Sequence, residues 1–204
     1  MKNRGGQIYN TLFGQKCSAI PITKKIQMST KANYKILGVD PGTNILGYAV
    51  LEVKGKKLTP LEMGVVNLQK LGDHYEKLKH IFVRIQQLIA SHQTSEMAVE
   101  APFYGKNVQS MLKLGRAQGV AIAAAKVSGI DVVEYSPKRI KQAITGSGNA
   151  SKEQVAKTLE MIYKISFDDH YLDSSDALAA ALIHINISMI ILCFPSLYFS
   201  YLVE

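Results

Sequence analysis

Four carboxylates lie where predicted strands or helices begin or end, so side chains from distant parts of the chain can meet there. Asp40 follows a short apolar strand, and Glu100 ends another strand just before Pro102. Asp173 and Asp176 are three residues apart at a predicted helix start and therefore share one helix face. Clustered carboxylates repel one another unless cations neutralise them, and such hard oxygen ligands favour Mg²⁺ or Mn²⁺ over zinc. Two ions about 4 Å apart would stabilise both the attacking and the leaving oxygen in phosphodiester hydrolysis.

Each of these acids also has an ordinary structural interpretation. Asp40 belongs to Asp-Pro-Gly-Thr, a typical turn sequence, and Glu100 could simply be solvated. The two acids at the helix start could be an N-cap and a first-turn acid. Asp168 and Asp169 precede that helix in a loop that gives them no defined face, so we interpret them as solvated.

Hydrophobic periodicity predicts the elements that would position these acids. Three successive strands, with Gly55 in a hairpin turn, are followed by alternating helices and strands. This order, βββαβαβααα, predicts an α/β fold with a mixed five-stranded sheet and helices on both faces. The strands are expected at 35–39, 45–53, 58–68, 97–100 and 130–134, and the helices from Asp73, at 107–127, after the N-caps Ser136 and Ser151, and from Asp173.

Two predicted helices carry distinctive faces. The helix that begins at Asp73 repeats apolar residues every three to four positions, which predicts one buried face: Tyr75, Leu78, Phe82, Ile85 and Ile89. In the helix at 107–127, small residues recur every four positions at Gly115, Gly119 and Ala123. They would let a second helix approach closely, which suits either a subunit interface or packing on the sheet of the same chain.

The formal net charge of +8 is unevenly distributed along the chain. Residues 1–33 contain six basic and no acidic residues, which leaves 18 basic against 16 acidic residues in the remainder. Nucleic-acid binding by the remainder would therefore depend on a local basic patch. We predict a basic, disordered arm at 1–33, with an organelle transit peptide as the alternative, a folded domain at 34–188, and an apolar tail without an assigned role at 189–204.

The cysteines and the apolar C-terminal segment indicate the cellular compartment of the protein and whether it associates with a membrane. Cys17 and Cys193 show neither zinc-ligand spacing nor a disulfide framework, which favours a reducing cytoplasm. Residues 177–194 are nearly long enough and apolar enough to span a bilayer. Polar residues such as His184 interrupt the run, and no Lys or Arg flanks it, so we predict a buried helix and no membrane association.

Four separated segments resemble the successive motifs of the RuvC Holliday junction resolvases, in the same order and with similar spacing. The segments run from Gly38 to Tyr48, from Val99 to Asn107, from Leu114 to Ala121 and from Asp173 to Ala179. The resemblance covers about residues 34–188. It implies an RNase H-like nuclease domain, a homodimer and Mg²⁺-dependent cutting of four-way DNA junctions in recombination and repair. It also implies two Mg²⁺ ions per site, with Mn²⁺ as a substitute, and cooperation with the RuvA and RuvB branch-migration proteins.

The same resemblance assigns roles to individual residues. The acids described above match the four catalytic, metal-binding carboxylates of the family: Asp40, Glu100, Asp173 and Asp176. Phe103 matches an aromatic residue that would stack on an unpaired base at the crossover, with Lys106 beside it. Lys141 and Lys152 match basic residues that contact DNA near the catalytic centre, and solvated surface charge is their alternative interpretation.

Three other functions stay open at this point. The Asp-x-Gly-Thr sequence also resembles the phosphate loop of actin-like ATPases, but the second phosphate motif of that class does not occur. YqgF-like RNA-processing nucleases share the Asp-Pro-Gly-Thr opening, although Phe103 and Lys106 favour the junction enzyme. A noncatalytic junction-binding module is disfavoured, because four acids without metal would repel DNA phosphates.

Overall fold

The computed structural model describes residues 33–102, 107–164, 167 and 172–193, with side chains up to residue 188. Within these ranges the elements follow the predicted order, with boundaries that differ from the predictions by one or two residues. The strands are β1 Asn33–Asp40, β2 Ile45–Lys54, β3 Lys57–Asn67, β4 Glu96–Glu100 and β5 Asp131–Tyr135; the helices are α1 His74–His92, α2 Val108–Val127, α3 Pro137–Thr145, α4 Lys152–Tyr163 and α5 Leu172–Cys193.

The five strands form one mixed sheet, as predicted, and the structure gives their order as β3-β2-β1-β4-β5. The first three strands pair antiparallel, whereas β4 pairs parallel with both β1 and β5. Because β1 and β4 are parallel neighbours, their carboxyl ends lie at the same edge of the sheet. That edge is where the acids at the ends of these two strands meet.

Helices cover both faces of the sheet, and each face has its own apolar core. On one face, α1 and α2 pack through residues such as Ile85 and Ala121. On the other face, α3, α4 and α5 pack through residues such as Ile140, Leu159 and Leu178. The prediction of helices on both faces is therefore confirmed.

The predicted buried face of α1 is correct for Ile85 and Ile89 but wrong for Tyr75. The side chain of Tyr75 is 71% exposed, whereas Leu78 and Phe82 are partly buried against the core. Side chains on a helix point back toward its N-terminus. A residue in the first turn therefore projects beyond the helix start and not onto the sheet.

The small residues of α2 lie on its outer face. Gly115, Gly119 and Ala123 are exposed, and a Cβ atom added to either glycine would meet nothing within 4 Å among the described residues. The opposite face of α2, with Ala117 and Ala121, packs on the sheet. Packing of the small residues on the sheet, one of the two interpretations of their spacing, is therefore wrong.

Helix α5 crosses β1 and β2 at two glycines, where its backbone comes unusually close. A Cβ on Gly38 would lie 2.0 Å from the carbonyl oxygen of Ala177, and a Cβ on Gly47 would lie 2.0 Å from that of Asp173. No side chain larger than hydrogen fits at these points with the helix in place. The two glycines therefore allow the start of α5 to lie next to the end of β1.

A buried polar network joins α5 to the sheet farther along the helix. The hydroxyl of Tyr135 lies 2.8 Å from Nδ1 of His184, and Nε2 of His184 lies 2.7 Å from the Glu96 carboxylate. All three residues are buried. Because an unpaired buried polar group is costly, this arrangement favours one position of α5 along β4 and β5.

Helix α5 is the apolar segment that the sequence predicts to be buried, and residues 177–183 and Ile185 have almost no exposed surface. None of the helices in the described part of the chain combines the length and apolarity needed to cross a bilayer. The predicted arm lies outside the described residues apart from Asn33 in β1, as does most of the predicted tail, so both boundaries stay predictions.

Candidate active site

Asp40 and Glu100 are the last residues of the parallel neighbours β1 and β4. The register pairs Val39 with Val99, so the two acids follow side by side at the carboxyl edge of the sheet. Both line one cleft together with Pro41. The placement follows from sheet topology, since parallel pairing brings together strand ends that are 60 residues apart in the sequence.

Asp173 and Asp176 lie in the first turns of α5, which Gly47 admits to this edge of the sheet. Each offers a carboxylate oxygen within 4.8 Å of one from Asp40 and within 4.8 Å of one from the other. Glu100 is not part of this close group of three but interacts electrostatically with it. The structure therefore brings all four predicted acids together, three of them at ligand-sharing distance.

The pKa values of Asp40, Glu100 and Asp176 are raised, because their carboxylates are partly shielded from water and repel one another. Burial raises the pKa of Asp40 well above its usual range, and the charge of Glu100 raises it further. Burial and the charge of Asp176 raise the pKa of Glu100 to about 7, although Lys152 and Lys141 oppose the shift. Burial also raises the pKa of Asp176, against the opposing charge of Lys152. Full ionisation of this cluster is unfavourable unless additional positive charge is bound there.

Lys152 reaches into the centre of the cluster. Its ammonium nitrogen lies 2.7 Å from a carboxylate oxygen of Asp176, 3.1 Å from one of Asp173 and 3.9 Å from one of Asp40. Burial lowers the pKa of Lys152, but the charge of Asp176 and the neighbouring acids outweighs it and the net pKa is raised. Lys152 is therefore a firmly charged cation among the acids.

The local structure at the start of α4 fixes the position of the Lys152 backbone. Ser151 and Gln154 form a capping box at the start of α4: the Ser151 hydroxyl accepts from the Gln154 amide, and the Gln154 side chain accepts from the Ser151 amide. Val155 and Leu159 anchor the helix in the core. Lys152 is the first residue of that helix, so its backbone has little freedom.

Lys141 lies on α3, whose start is capped by Ser136 before Pro137, as the sequence predicts. Its charge lowers the pKa of both Glu100 and Asp176, but among the described residues it forms no ion pair with the acids. Phe103 and Lys106 lie outside the described residues, so their predicted DNA contacts stay predictions.

Gln118 is a residue of this site that the sequence analysis does not single out. Its side chain is buried on α2, donates to the Glu134 carboxylate at 2.6 Å and reaches the backbone carbonyl of Glu100 at 3.4 Å. It also lines the cleft between the acids. Two sequence signals mark it: its place in the motif-like segment from Leu114 to Ala121, and a single amide on the apolar face formed by Ala117 and Ala121.

The donor set fits a hard divalent cation. Carboxylate oxygens from Asp40, Asp173 and Asp176 lie within reach of one ion, and Glu100 is adjacent. Metals of the Mg²⁺ and Mn²⁺ class take such oxygen ligands, whereas the described part of the site offers no thiolate or imidazole in this group. A bound divalent ion would also relieve the repulsion that raises the pKa values of these acids.

Metal binding at this site is expected to strengthen as the pH rises through 7. The pKa of Glu100 is about 7 in the folded protein, above its ordinary value, so ionising it destabilises the metal-free fold as pH rises toward 7. A cation must displace that proton, so the Mg²⁺-induced rise in Tm should be larger at pH 8 than at pH 6. The measurement is thermal melting with chelator or Mg²⁺ at both values. Glu100→Gln is the control and should show a smaller pH dependence, because Asp40, whose pKa is also raised, still has a proton for the cation to displace. An unchanged dependence would assign it to groups other than Glu100.

Comparison with known proteins places this architecture in a family. The family model described as crossover junction endodeoxyribonuclease RuvC matches residues 36–184. The crossover junction endodeoxyribonuclease RuvC of Porphyromonas gingivalis is 57% identical over 152 residues, covering 73% of this chain and 80% of the relative. That of Cytophaga hutchinsonii is 56% identical over 149 residues, covering 73% of this chain and 74% of the relative.

Solved structures agree with the sequence comparison. Thermus thermophilus RuvC superposes with a TM-score of 0.67 at 32% identity, covering 76% of this chain and 96% of the other. The structure of T. thermophilus RuvC in complex with Holliday junction substrate gives a TM-score of 0.68 at the same identity. The fold is RNase H-like, as predicted, and this chain belongs to the RuvC family of crossover junction endodeoxyribonucleases.

Proposed function

We propose that two copies of this endodeoxyribonuclease resolve a four-way DNA junction by paired, symmetric nicks, each made at a Mg²⁺ site formed by the four acids. The observation that carries the proposal is the convergence of Asp40, Glu100, Asp173 and Asp176 at one edge of the sheet. Three distant segments supply them, and no structural role requires so much like charge in one place.

The chemistry divides between the bound cation and the chain. Divalent ions at such a site activate the attacking water and neutralise charge on the phosphate and the leaving oxygen. Asp40, Asp173 and Asp176 would hold the ion, and Glu100, with its pKa of about 7, would complete the set once ionised. Lys141 and Lys152 supply positive charge beside the acids and would draw the phosphate backbone toward them.

Two nicks in strands of like polarity need two identical sites related by a two-fold axis, which a C2 dimer provides. The outer face of α2 is a suitable interface, because Gly115, Gly119 and Ala123 are exposed and allow a facing helix to approach. Val108 and Leu112 on the same helix are also exposed, at 68% and 52%. Apolar surface of this kind favours association.

Gly119→Arg is expected to separate the dimer without harming the fold. A Cβ at this position meets nothing within 4 Å in the described chain, and Arg is a better helix former than Gly, so the free energy of unfolding of the monomer should not fall. A second α2 helix could not approach past the Arg side chain. Sedimentation should find a monomer, while Ala90→Arg on the exposed face of α1 should stay dimeric. A dimeric, fully active Gly119→Arg protein would remove α2 from the interface.

Family membership is the support for the remaining proposed partners. The proposal includes cooperation with the RuvA and RuvB branch-migration proteins, and hence action in the cytoplasm. It also assigns the crossover contacts to Phe103 and Lys106, through stacking and phosphate attraction.

The deciding experiment compares a labelled four-way junction, a linear duplex of the same sequence and a matched RNA hairpin, each with Mg²⁺ or with chelator. Mg²⁺-dependent, paired nicks in the junction, with little cutting of the duplex, would support the proposal. Faster cutting of the RNA hairpin would assign the chain to RNA processing. Junction binding without cutting in either Mg²⁺ or Mn²⁺ would leave only a binding module.

A further inference from the structure

The carboxylates of the metal site already have a cationic partner supplied by the chain itself. The three acids whose oxygens lie within 4.8 Å of one another are the same three that pair with the ammonium of Lys152: Asp40, Asp173 and Asp176. Two of these pairs are short, at 2.7 and 3.1 Å. A divalent ion bound by these oxygens would occupy the region in which the ammonium now lies.

We propose that Lys152 competes with the divalent cation for the oxygens of Asp40, Asp173 and Asp176, so that metal binding releases the lysine for the DNA backbone. The inference rests on the proposed metal site. It assigns to Lys152 a positioning role in addition to DNA contact: it limits metal affinity before the substrate arrives.

Electrostatics require the competition. An ammonium 2.7–3.9 Å from three carboxylates offsets part of their repulsion, and a divalent ion entering the same group would be repelled by it. Both cations cannot share these oxygens at full strength. The ion must displace the ammonium or bind weakly.

The position of Lys152 also allows the release. The capping box and buried anchors of α4 fix its backbone, but its side chain is 49% exposed. The long, flexible stem of a lysine can therefore swing to solvent or to a phosphate without moving the helix. Once displaced, the charge is presented beside the site, at the place where the phosphate backbone must pass.

A matched control variant is available in the chain. Lys141 is a second lysine whose charge acts on Glu100 and Asp176, yet it makes no ion pair with the acids among the described residues. Removing the charge of Lys141 changes the electrostatic field at the acids, as removing the charge of Lys152 does. Only removal of Lys152 also frees the carboxylate oxygens.

The first test is calorimetric titration of MgCl₂ into the DNA-free protein for the wild type, Lys152→Met and Lys141→Met. We expect Lys152→Met to bind Mg²⁺ about tenfold more tightly than the wild type, and Lys141→Met to show a clearly smaller gain. Equal affinity of the wild type and Lys152→Met would overturn the inference. Equal gains in the two variants would also overturn it, because a general field effect would then suffice.

The second test follows the release itself in the unaltered protein. Lysines are acetylated with limiting acetic anhydride, in chelator or in Mg²⁺, and each site is quantified by mass spectrometry. Mg²⁺ should increase modification of Lys152, whereas Lys126, which pairs with Asp131 on another part of the surface, should not change. Unchanged or reduced modification of Lys152 would contradict the inference. Neither test involves cleavage, so junction cutting that persists alongside either negative result would leave the proposed function standing.

Discussion

Asp40→Asn is expected to abolish most junction cleavage while leaving the fold as stable as before or more so. Asp40 stands between the other acids: its oxygen lies within 4.8 Å of those of Asp173 and Asp176, and Glu100 is its strand neighbour. The amide has almost the same volume but no charge to offer a cation. Because loss of residues merely supporting metal ligands costs about 10- to 100-fold, loss of a ligand should lower the rate at least about 100-fold.

The effect of this substitution on stability has the opposite sign. Burial and the charge of Glu100 raise the pKa of Asp40, so its ionised form is destabilising in the metal-free protein near neutral pH. Replacing it with a neutral amide removes that penalty, and the free energy of unfolding in chelator should be unchanged or higher. Loss of activity with retained or increased stability separates a functional acid from a structural one.

The measurement pairs single-turnover cleavage of a labelled junction in Mg²⁺ with urea unfolding in chelator. Asp73→Asn is a suitable control, because Asp73 precedes α1 and makes no side-chain cap hydrogen bond there. It should cut at the wild-type rate. Near-normal Mg²⁺-dependent cutting by Asp40→Asn would remove Asp40 from the proposed metal site.

Gly38→Ala is expected to be among the most destabilising single changes in the chain. The added Cβ would lie 2.0 Å from the carbonyl oxygen of Ala177 and 2.9 Å from its carbon, both backbone atoms of α5. No rotamer change relieves such an overlap, so the helix must move away from the sheet and lose part of its buried packing. We expect a cost at the upper end of the overpacking range, about 3 kcal/mol or more.

The same displacement should also damage the proposed metal site, because α5 carries Asp173 and Asp176. Urea unfolding and Mg²⁺ titration of the variant test both consequences, with Gly72→Ala as the control. A Cβ on Gly72 meets nothing within 4 Å in the described chain, so that variant should match the wild type. Wild-type stability of Gly38→Ala would mean that the close approach of α5 is not required.

The helices and strands and much of the candidate site could be predicted from the amino-acid sequence alone. These predictions use the hydrophobic periodicity, the helix caps at Ser136 and Ser151, and the breaks at Gly and Pro. Each of these features depends only on residues a few positions away, so it can be recognised without knowledge of the fold. The acids were identifiable for the same reason, because Asp40 and Glu100 end strands and the later pair begins a helix. Motif order then indicated the family, which the comparisons confirm.

The way in which these parts meet depends on contacts between distant segments. The ion pairs of Lys152, the reach of Gln118 to Glu100 and the contact between His184 and Glu96 all join segments separated by at least 18 residues. The outward direction of the small residues on α2 and the exposure of Tyr75 likewise depend on which helix face meets the sheet. Such contacts follow from strand order and helix docking, and no local pattern specifies them. The sequence shows that residue 152 is a positively charged lysine. That charge lies among the acids only because α4 packs beside α5.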